Sequence, residues 1–323
     1  MRREHLRYLA CPDCGDELRL EPDVEQVETG VLRCVSCSRS FPVVRHVPRF
    51  ADSEYASGFG LQWQRHAETQ YDSRSASRSS ERRFFSETGW PREMPGEVIV
   101  EAGCGGGRFT EQAASTGAIV LAFDLSEAVD ANYRLNGSAE NVLIAQADLR
   151  RLPLSDGIAD RVFCFGVLQH TPDPEASFMA LPRLLKPGGE LAADLYIKSV
   201  GRFWTQTKYL VRPLTKRLPP ERLYRLVRRY VDLMWPVASV IRRVPAVGPQ
   251  VNWRLLVADY SDVDVPASEL KEWAYLDTFD MLNPAFDKPQ TVRTVQRWLE
   301  KSGLRGRVFR GLNGVAVVAR KPT

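Results

Sequence analysis

The spacing of apolar and polar positions predicts an α/β domain in the middle of the chain. Short apolar runs at residues 98–100, 118–123, 141–145 and 160–165 are separated by stretches with a helical period. Runs of this kind are typical of strands that are buried on both faces of a parallel sheet. The stretches between them would supply the covering helices. We therefore expect a doubly wound sheet.

Two further patterns extend toward the C-terminus. Residues 290–302 form an amphipathic helical pattern that ends at Gly303, and residues 304–309 and 315–319 are predicted as strands. Residues 198–289 are too long for a simple connection, so we expect a helical, basic insertion that caps the domain. Apolar side chains recur there at helical spacing: Leu223, Leu226, Val227, Tyr230, Val231 and Met234.

The first 50 residues carry a separate signal, two Cys-x-x-Cys pairs. The four cysteines are Cys11, Cys14, Cys34 and Cys37. Four thiolates at this spacing can converge tetrahedrally on one Zn²⁺ ion and leave no coordination position open. We predict a structural zinc ribbon over residues 1–50 in which the metal supplies folding energy, because the segment has little apolar surface. A pair of disulfides is the alternative, which the spacing disfavours.

The composition is that of a soluble globular protein. Of 323 residues, 44% are hydrophobic and 26% are charged. The longest mostly apolar stretch, residues 230–241, is shorter than the roughly 20 residues that span a bilayer. No apolar run follows the basic start, so we expect no signal peptide and a cytoplasmic protein.

Charge is distributed unevenly along the chain. Residues 198–254 carry 13 basic and 2 acidic side chains, whereas residues 98–197 carry 7 basic and 13 acidic ones. Residues 1–50 have 8 of each sign. The basic segment favours an acidic partner, such as an anionic substrate, a nucleic acid or a membrane surface. A solvated helical face is the alternative.

A glycine-rich loop follows the first strand of the α/β domain. Gly103, Gly105 and Gly107 lie where this strand turns into a helix, and Asp124 ends the second strand, 21 residues beyond Gly103. Glycines are needed where backbone lies against a ligand, and an acid at the second position can accept both hydroxyls of a ribose. The two motifs predict a nucleoside-containing cofactor at the carboxyl end of the sheet.

These motifs resemble those of the class I S-adenosylmethionine-dependent methyltransferases. The loop matches their acidic-x-Gly-x-Gly-x-Gly motif, residues 146–149 resemble their adenine-binding segment, and residues 184–191 resemble their Lys-Pro-Gly-Gly turn into strand five. The resemblance covers residues 98–197 and 290–323. It implies a Rossmann-like seven-stranded sheet with a C-terminal antiparallel hairpin. It assigns S-adenosylmethionine binding to Glu101, Gly103, Gly105, Gly107, Asp124, Leu125, Asp148, Leu149 and Gly166.

Several of these assignments have a structural alternative. Glu101 could order the loop instead of touching the ligand, and Asp124 could cap the following helix. Asp148 could be an exposed loop carboxylate. Cys104 and Cys164 are expected to be buried apolar side chains and not nucleophiles.

His170, just beyond strand four, is the candidate general base. Ligands gather at the carboxyl ends of parallel strands, and an imidazole titrates near neutral pH. The alternative is a histidine that only packs beside the cofactor, as in many relatives. The chain lacks the tetrapeptide of adenine amino-methyltransferases and the Pro-Cys of RNA cytosine-C5 enzymes at this place. It resembles the small-molecule branch.

Residues 51–97 are predicted to connect the ribbon to the α/β domain. Residues 73–80 have low complexity, which is typical of a mobile loop. Residues 59–65 are aromatic and less loop-like. They could form a helix that covers the cofactor cleft, and simple packing onto the main domain is equally compatible with the pattern.

The first functional hypothesis is methyl transfer to a small, acidic or phosphorylated acceptor, which Arg228 and Arg229 of the insertion would help to select. The ribbon resembles short zinc-ribbon proteins that activate tRNA- and ribosome-modifying methyltransferases, so an RNA substrate is the second hypothesis. It is disfavoured, because the ribbon and the acidic core offer no continuous positive track. A non-catalytic S-adenosylmethionine-binding subunit is the third. We expect each module to have its own stabilising core. The oligomeric state does not follow from the sequence.

Overall fold

A computed structural model describes most of the chain, as residues 1–75, 78–198, 206–245, 247–261 and 265–323. The predicted mobile loop and the predicted insertion each fall partly outside these ranges. The residues of those two segments that lie outside the described part are 76–77, 199–205, 246 and 262–264.

The N-terminal segment folds as a four-stranded antiparallel sheet, as the ribbon prediction requires. In the first strand, buried and exposed residues alternate, with Leu18 and Leu20 pointing inward. A short 3₁₀ helix, Arg3–Tyr8, precedes the sheet. The strands are β1 (Leu18–Glu21), β2 (Gly30–Cys34), β3 (Ser40–Val44) and β4 (Val47–Pro48).

The central sheet has seven strands in the order β10-β11-β9-β8-β5-β6-β7. Five neighbouring strands are parallel, and β11 runs antiparallel to both β9 and β10. This confirms the predicted Rossmann-like sheet with its closing hairpin. The strands are β5 (Val98–Ala102), β6 (Ile119–Asp124), β7 (Val142–Gln146), β8 (Ala159–Cys164), β9 (Leu185–Leu195), β10 (Arg305–Gly311) and β11 (Gly314–Arg320).

Strand β9 begins earlier than the sequence predicted. The Lys-Pro-Gly-Gly segment, expected as a turn, lies inside it. Ala159 pairs with Leu185 before the register shifts, and Arg161 then pairs with Glu190. Residues 186–189 are therefore an irregular part of β9, because the residues on either side of them, Leu185 and Glu190, both pair with β8.

Both faces of the central sheet are covered. In β5, Val98 and Val100 face one side and Ile99 the other, and all three are buried. Helices α2 (Ser79–Thr88), α3 (Arg108–Ala114) and α4 (Ala128–Asn136) pack on the Ile99 side. The opposite side holds α5 (Pro174–Met179) and the C-terminal helix α10 (Val292–Lys301).

The ribbon packs against this second side, and the two modules share one core. Leu32 and Val43 of the ribbon belong to the same buried apolar cluster as Leu143 of the central sheet. The backbone N–H of Phe50 donates to the carbonyl of Gln146 at 2.8 Å, next to the end of β7. The expectation that each module has its own core was wrong, because apolar periodicity shows that a face is buried but not what buries it.

The insertion is helical where it is described. Its helices are α6 (Lys208–Thr215), α7 (Pro220–Ile241), α8 (Gly248–Arg254) and α9 (Leu270–Leu282). Leu223, Val227 and Val231 of α7 pack with Tyr275 and Phe279 of α9 in a separate apolar core. None of the described helices combines the length and the apolar character that crossing a membrane requires.

The connector contains a helix, α1 (Ser57–Arg65), which lies against α4 and against the helices of the insertion. We call this insertion, residues 198–289, the cap. The predicted mobile loop is shorter than expected, because Ser79 and Ser80 already belong to α2. Ser80 is fully buried, and its hydroxyl donates to the carbonyl of Gln70 at 2.9 Å. The serine-rich segment therefore includes the first turn of α2, which this hydrogen bond holds in place.

Candidate functional site

A cleft opens at the carboxyl ends of β5, β6, β7 and β8, where the glycine-rich loop lies. Gly103, the first glycine of the loop, has a φ of +91°, and a Cβ at this position would come within 2.3 Å of the Val167 side chain. A larger residue would therefore strain the backbone and push Val167 out of place. The loop can hold its shape only with glycine here.

Asp124 lies at the end of β6 and lines the cleft. Its carboxylate accepts hydrogen bonds from the backbone N–H of Gly105 at 2.9 Å and of Ser126 at 2.8 Å. Burial raises its pKa above the ordinary value for an aspartate. The structure therefore holds a partly buried acid directly against the glycine loop, where the resemblance places ribose recognition.

The rest of the cleft wall comes from the segments that follow β6, β7 and β8. Four residues that the resemblance assigned to cofactor binding line it, namely Leu125, Asp148, Leu149 and Gly166. The Nε–H of Arg150 donates to both carboxylate oxygens of Asp148, and each oxygen lies 3.0 Å from Nε. Asp148 is therefore a fixed acceptor at the cleft edge and not a free loop carboxylate.

Glu101 and Gly107 do not line the cleft. Glu101 is 1% exposed and accepts a hydrogen bond from the Thr110 hydroxyl at 2.5 Å. Burial raises its pKa to about 8. A Cβ at Gly107 would lie 2.3 Å from Asn132 Oδ1. These positions order the loop and the start of α3, which favours the structural alternative for Glu101.

Helix α1 covers the glycine loop from above. A Cβ added to Gly105 would lie 3.0 Å from Trp63 Nε1, and one added to Gly106 would lie 3.0 Å from the same indole ring. Phe59 and Gln62 of this helix also line the cleft. Gln62 is 2% exposed, and its Oε1 has no hydrogen-bond partner among the described residues. The covering-helix interpretation of residues 59–65 thus fits the geometry.

Two arginines of the cleft were missed from the sequence. Arg83 of α2 forms an ion pair with buried Asp194, and Arg108 of α3 donates to Gln70. Arg108 directly follows the glycine motif, which could have indicated it. Arg83 follows a low-complexity segment and had no local signal, because its position depends on where α2 packs.

His170 lines the cleft and contacts the ring of Tyr196, which lines both the cleft and a second chamber. Its Nδ1 lies 3.0 Å from the carbonyl oxygen of Phe286, and its ring contacts Phe59 and Tyr196. A carbonyl can only accept a hydrogen bond, so Nδ1 carries the proton in this contact and Nε2 is the basic nitrogen of the neutral ring. This is the tautomer that a general base needs when Nε2 faces its substrate.

The second chamber lies between β9 and the cap, and it is continuous with the cleft. Both are lined by Tyr196, Tyr260, Asp277, Asp280 and Asn313. Burial and the neighbouring carboxylate of Asp280 raise the pKa of Asp277 to about 7. The chamber therefore presents phenols and two carboxyl groups to anything that enters from the cofactor side. At its other end lie Gln206, Lys208, Gln250, Trp253 and Arg254.

The arginines that were expected to select the acceptor lie elsewhere. Neither Arg228 nor Arg229 lines the chamber. Arg228 stacks on the ring of Tyr275 at 4.8 Å, and Arg229 is exposed. The helical pattern separated apolar from basic faces correctly but could not show which face meets the chamber.

The four ribbon cysteines converge as predicted. The Sγ atoms of Cys11, Cys14, Cys34 and Cys37 all lie within 4.8 Å of one another. Four thiolates in this arrangement fit a tetrahedral Zn²⁺ ion. The cluster lies in the ribbon and contributes no side chain to the cleft, so a metal there would be structural.

Comparison with known proteins agrees with this site. Residues 100–193 match a protein family described as a methyltransferase domain. A ubiquinone biosynthesis O-methyltransferase of Xanthomonas oryzae pv. oryzae is 39% identical over 105 residues, which make up 31% of this chain and 43% of that protein. One from Acinetobacter baumannii is 36% identical over 104 residues, 30% of this chain and 43% of the relative. The chain thus spans less than half the length of these curated relatives.

Solved structures give lower similarity. A SAM-dependent methyltransferase from Aquifex aeolicus superposes with a TM-score of 0.41 at 15% identity, over 75% of this chain and 89% of the other. The family match and the site motifs coincide at the glycine loop and at the carboxyl ends of the strands. Residues 100–193, which include the glycine loop and the strand ends that form the cleft, therefore match a methyltransferase domain, as the motifs indicated.

Proposed function

We propose that the protein transfers a methyl group from S-adenosylmethionine to a small molecule held in the chamber beneath the cap. The observation that carries this proposal is the continuity of the cleft and the chamber, which share five lining residues. A cofactor against the glycine loop and an acceptor under the cap would then meet beside His170.

The residues present fit the cofactor. Asp124 offers a carboxylate for the ribose hydroxyls, and Asp148 offers one for the adenine amino group. Buried Gln62 has an amide oxygen at the cleft with no hydrogen-bond partner in the part of the chain that the structure describes. An unpaired buried acceptor is costly, so a hydrogen-bond donor from a ligand would relieve it. Trp63 lies over the loop and would exclude water from the bound molecule.

The chain's own contribution to the reaction is alignment and proton removal. When bound, S-adenosylmethionine supplies an electrophilic methyl group. Tyr196 and Phe59 fix the plane of the His170 ring, and the Phe286 carbonyl holds its proton on Nδ1. Nε2 is then free to take the proton from an acceptor hydroxyl or amine as the methyl group moves.

The chamber lining defines the acceptor that we propose. The carboxyl groups of Asp277 and Asp280 and the phenols of Tyr196 and Tyr260 suit hydroxyl or amino groups near the cofactor. Lys208 and Arg254 lie at the other end, although Lys208 is already paired with Asp287 at 3.0 Å. We still predict an anionic acceptor. Its negative charge would be bound at this end of the chamber and not by Arg228 and Arg229.

Replacing Asp124 with alanine is expected to weaken S-adenosylmethionine binding at least ~10-fold, because two charge-assisted hydrogen bonds to the ribose are lost. Isothermal titration calorimetry measures this directly. Asp156→Ala, which removes an exposed carboxylate on the same domain, is the matched control. An unchanged dissociation constant for Asp124→Ala would remove Asp124 from the site.

Trp63→Ala is expected to weaken cofactor binding by about 3- to 10-fold, because the indole cover over Gly105 and Gly106 is lost. Trp235, which stacks on Arg242 within the cap, supplies the control variant Trp235→Ala. Equal affinities for wild-type protein and Trp63→Ala would show that α1 packs on the domain without covering the cofactor.

Asp277→Asn should change how stability depends on pH. An aspartate with a raised pKa keeps its proton in the folded state up to about pH 7, whereas the unfolded chain loses it near the ordinary value. Folding stability should therefore fall as the pH rises through this interval, and the asparagine variant should lose less. Urea unfolding at pH 5 and pH 8 tests this. Parallel declines in both proteins would mean that Asp277 ionises normally.

Cofactor binding itself is the simplest test of the proposal. Calorimetry should show one S-adenosylmethionine per chain, and the demethylated product S-adenosylhomocysteine should compete for it. Binding of neither molecule to protein that is folded by circular dichroism would rule out the proposed function. Binding without transfer to any acceptor would favour the non-catalytic alternative.

A further inference from the structure

The outward side of helix α7 carries a row of exposed apolar side chains. Leu226 is 47% exposed, Leu233 75%, Val237 47% and Val240 62%. Their spacing of seven, four and three residues places them along one side of the helix. Val244, just past the helix end, continues the row and is 54% exposed. We call this row, from Leu226 to Val244, the outer stripe.

The outer stripe is accompanied by positive charge. Four exposed arginines lie beside it: Arg222, Arg225, Arg229 and Arg243. None of them forms an ion pair with a residue of the described part of the chain. The nearby acids are already engaged. Glu221 pairs with Arg65 at 2.8 Å, and Asp232 pairs with Lys271 at 2.7 Å. The surface around the stripe is therefore positive with little compensation.

Folding does not require the outer stripe. A neighbouring side of α7, with Leu223, Val227 and Val231, already fills the apolar core of the cap. A helix that buries one apolar side needs only polar residues on the other. A second apolar row with arginines alongside is typical of a helix that lies in the interface of a lipid bilayer.

We propose that the outward side of α7 docks the protein on a bilayer surface that contains anionic phospholipid. The arginines would contact lipid phosphates while the leucine and valine side chains enter the acyl boundary. A nucleic acid would use the arginines but leave the apolar row in water, so charge and apolar surface together favour the bilayer. The surface requires neither cofactor nor methyl transfer.

The docked surface would lie close to the chamber. Helix α8 packs against α7, since the Asn252 side chain donates to the carbonyl of Ala238 at 3.0 Å, and Gln250, Trp253 and Arg254 of α8 line the chamber. An amphiphilic acceptor could then reach the chamber from the membrane without crossing bulk water. This last step depends on the proposed function, whereas docking itself does not.

Vesicle flotation with the cofactor-free full chain tests the docking. We expect binding to vesicles of phosphatidylcholine mixed with phosphatidylglycerol, none to phosphatidylcholine alone, and weaker binding as salt is raised. Leu233→Ser/Val237→Ser/Val240→Ser and Arg222→Gln/Arg225→Gln/Arg229→Gln should each reduce binding at least ~10-fold. Val24→Ser/Val35→Ser, which alters exposed apolar residues of the ribbon, is the matched control.

Thermal melting and S-adenosylmethionine affinity should be unchanged in all three variants, because the altered side chains are exposed and lie outside the cleft. The proposal is overturned if neither vesicle binds, if both bind equally, or if the variants bind like wild type. It is also overturned if the wild-type protein binds no vesicles but self-associates, and the apolar variant does not self-associate. In that case a second copy of the chain occupies the outer stripe. Tight RNA binding that survives the apolar variant, without vesicle binding, overturns it as well.

Discussion

His170→Ala is expected to lower kcat for methyl transfer by roughly 10²-fold or more, with little change in S-adenosylmethionine affinity. The reason is that the imidazole holds its proton on Nδ1 through the Phe286 carbonyl and leaves Nε2 to accept one from the substrate. Single-turnover transfer to the acceptor and calorimetry with the cofactor separate the two quantities. His170→Gln, which keeps a polar group but no titrating nitrogen, should be equally impaired.

A different outcome would reassign the histidine. If His170→Ala keeps kcat and raises only KM, the ring packs beside the acceptor without moving a proton. A matched control is His46→Ala, because His46 stacks on Tyr133 at the ribbon and lies outside the cleft.

Cys34→Ser is expected to lower the melting temperature of the whole protein by roughly 10 °C or more. We infer that the four cysteines hold one Zn²⁺ ion, and losing it would unfold the ribbon. Because Leu32 and Val43 of the ribbon share a core with Leu143, the damage should reach the central sheet. Differential scanning calorimetry and elemental analysis check the transition and the zinc content. Ser36→Ala, in the same knuckle, is the control.

The same substitution should also weaken cofactor binding. Arg49 of the ribbon donates to the Gln146 side chain at 3.1 Å, and Gln146 donates to the carbonyl of Leu125 at 2.9 Å. Leu125 follows Asp124 in the cleft wall, so the ribbon supports the segment that we propose to bind the ribose. Two separate melting transitions, with cofactor affinity unchanged, would show that the modules are independent, as the sequence had suggested.

The sequence predicted those parts of the structure that depend on residues close together along the chain. The short, continuous apolar runs indicated the parallel strands, and the glycine spacing with Asp124 indicated the cofactor cleft. Both depend on backbone geometry over short distances, which fixes residue types at fixed positions. The two cysteine pairs belong to the same class, because metal geometry dictates their spacing.

The parts that could not be predicted depend on packing between distant segments. The aromatic segment of residues 59–65 allowed a helix over the cleft or simple packing on the domain, and the choice between them depended on how α1 lies on α4, which places Trp63 and Gln62 at the cleft. Arg83 reaches it from α2 in the same way. Arg228 and Arg229 were assigned to the chamber from charge alone, although helical periodicity does not tell which neighbour a polar face meets.

The central claim is transfer of a methyl group to a small molecule, and transfer from methyl-labelled S-adenosylmethionine tests it most directly. The protein is incubated with labelled cofactor and, separately, with extracted small molecules and with unmodified RNA. We predict label in a small molecule, dependent on active protein and lost in Asp124→Ala and His170→Ala. Label found only in RNA, or label transferred equally by both variants, would contradict the account.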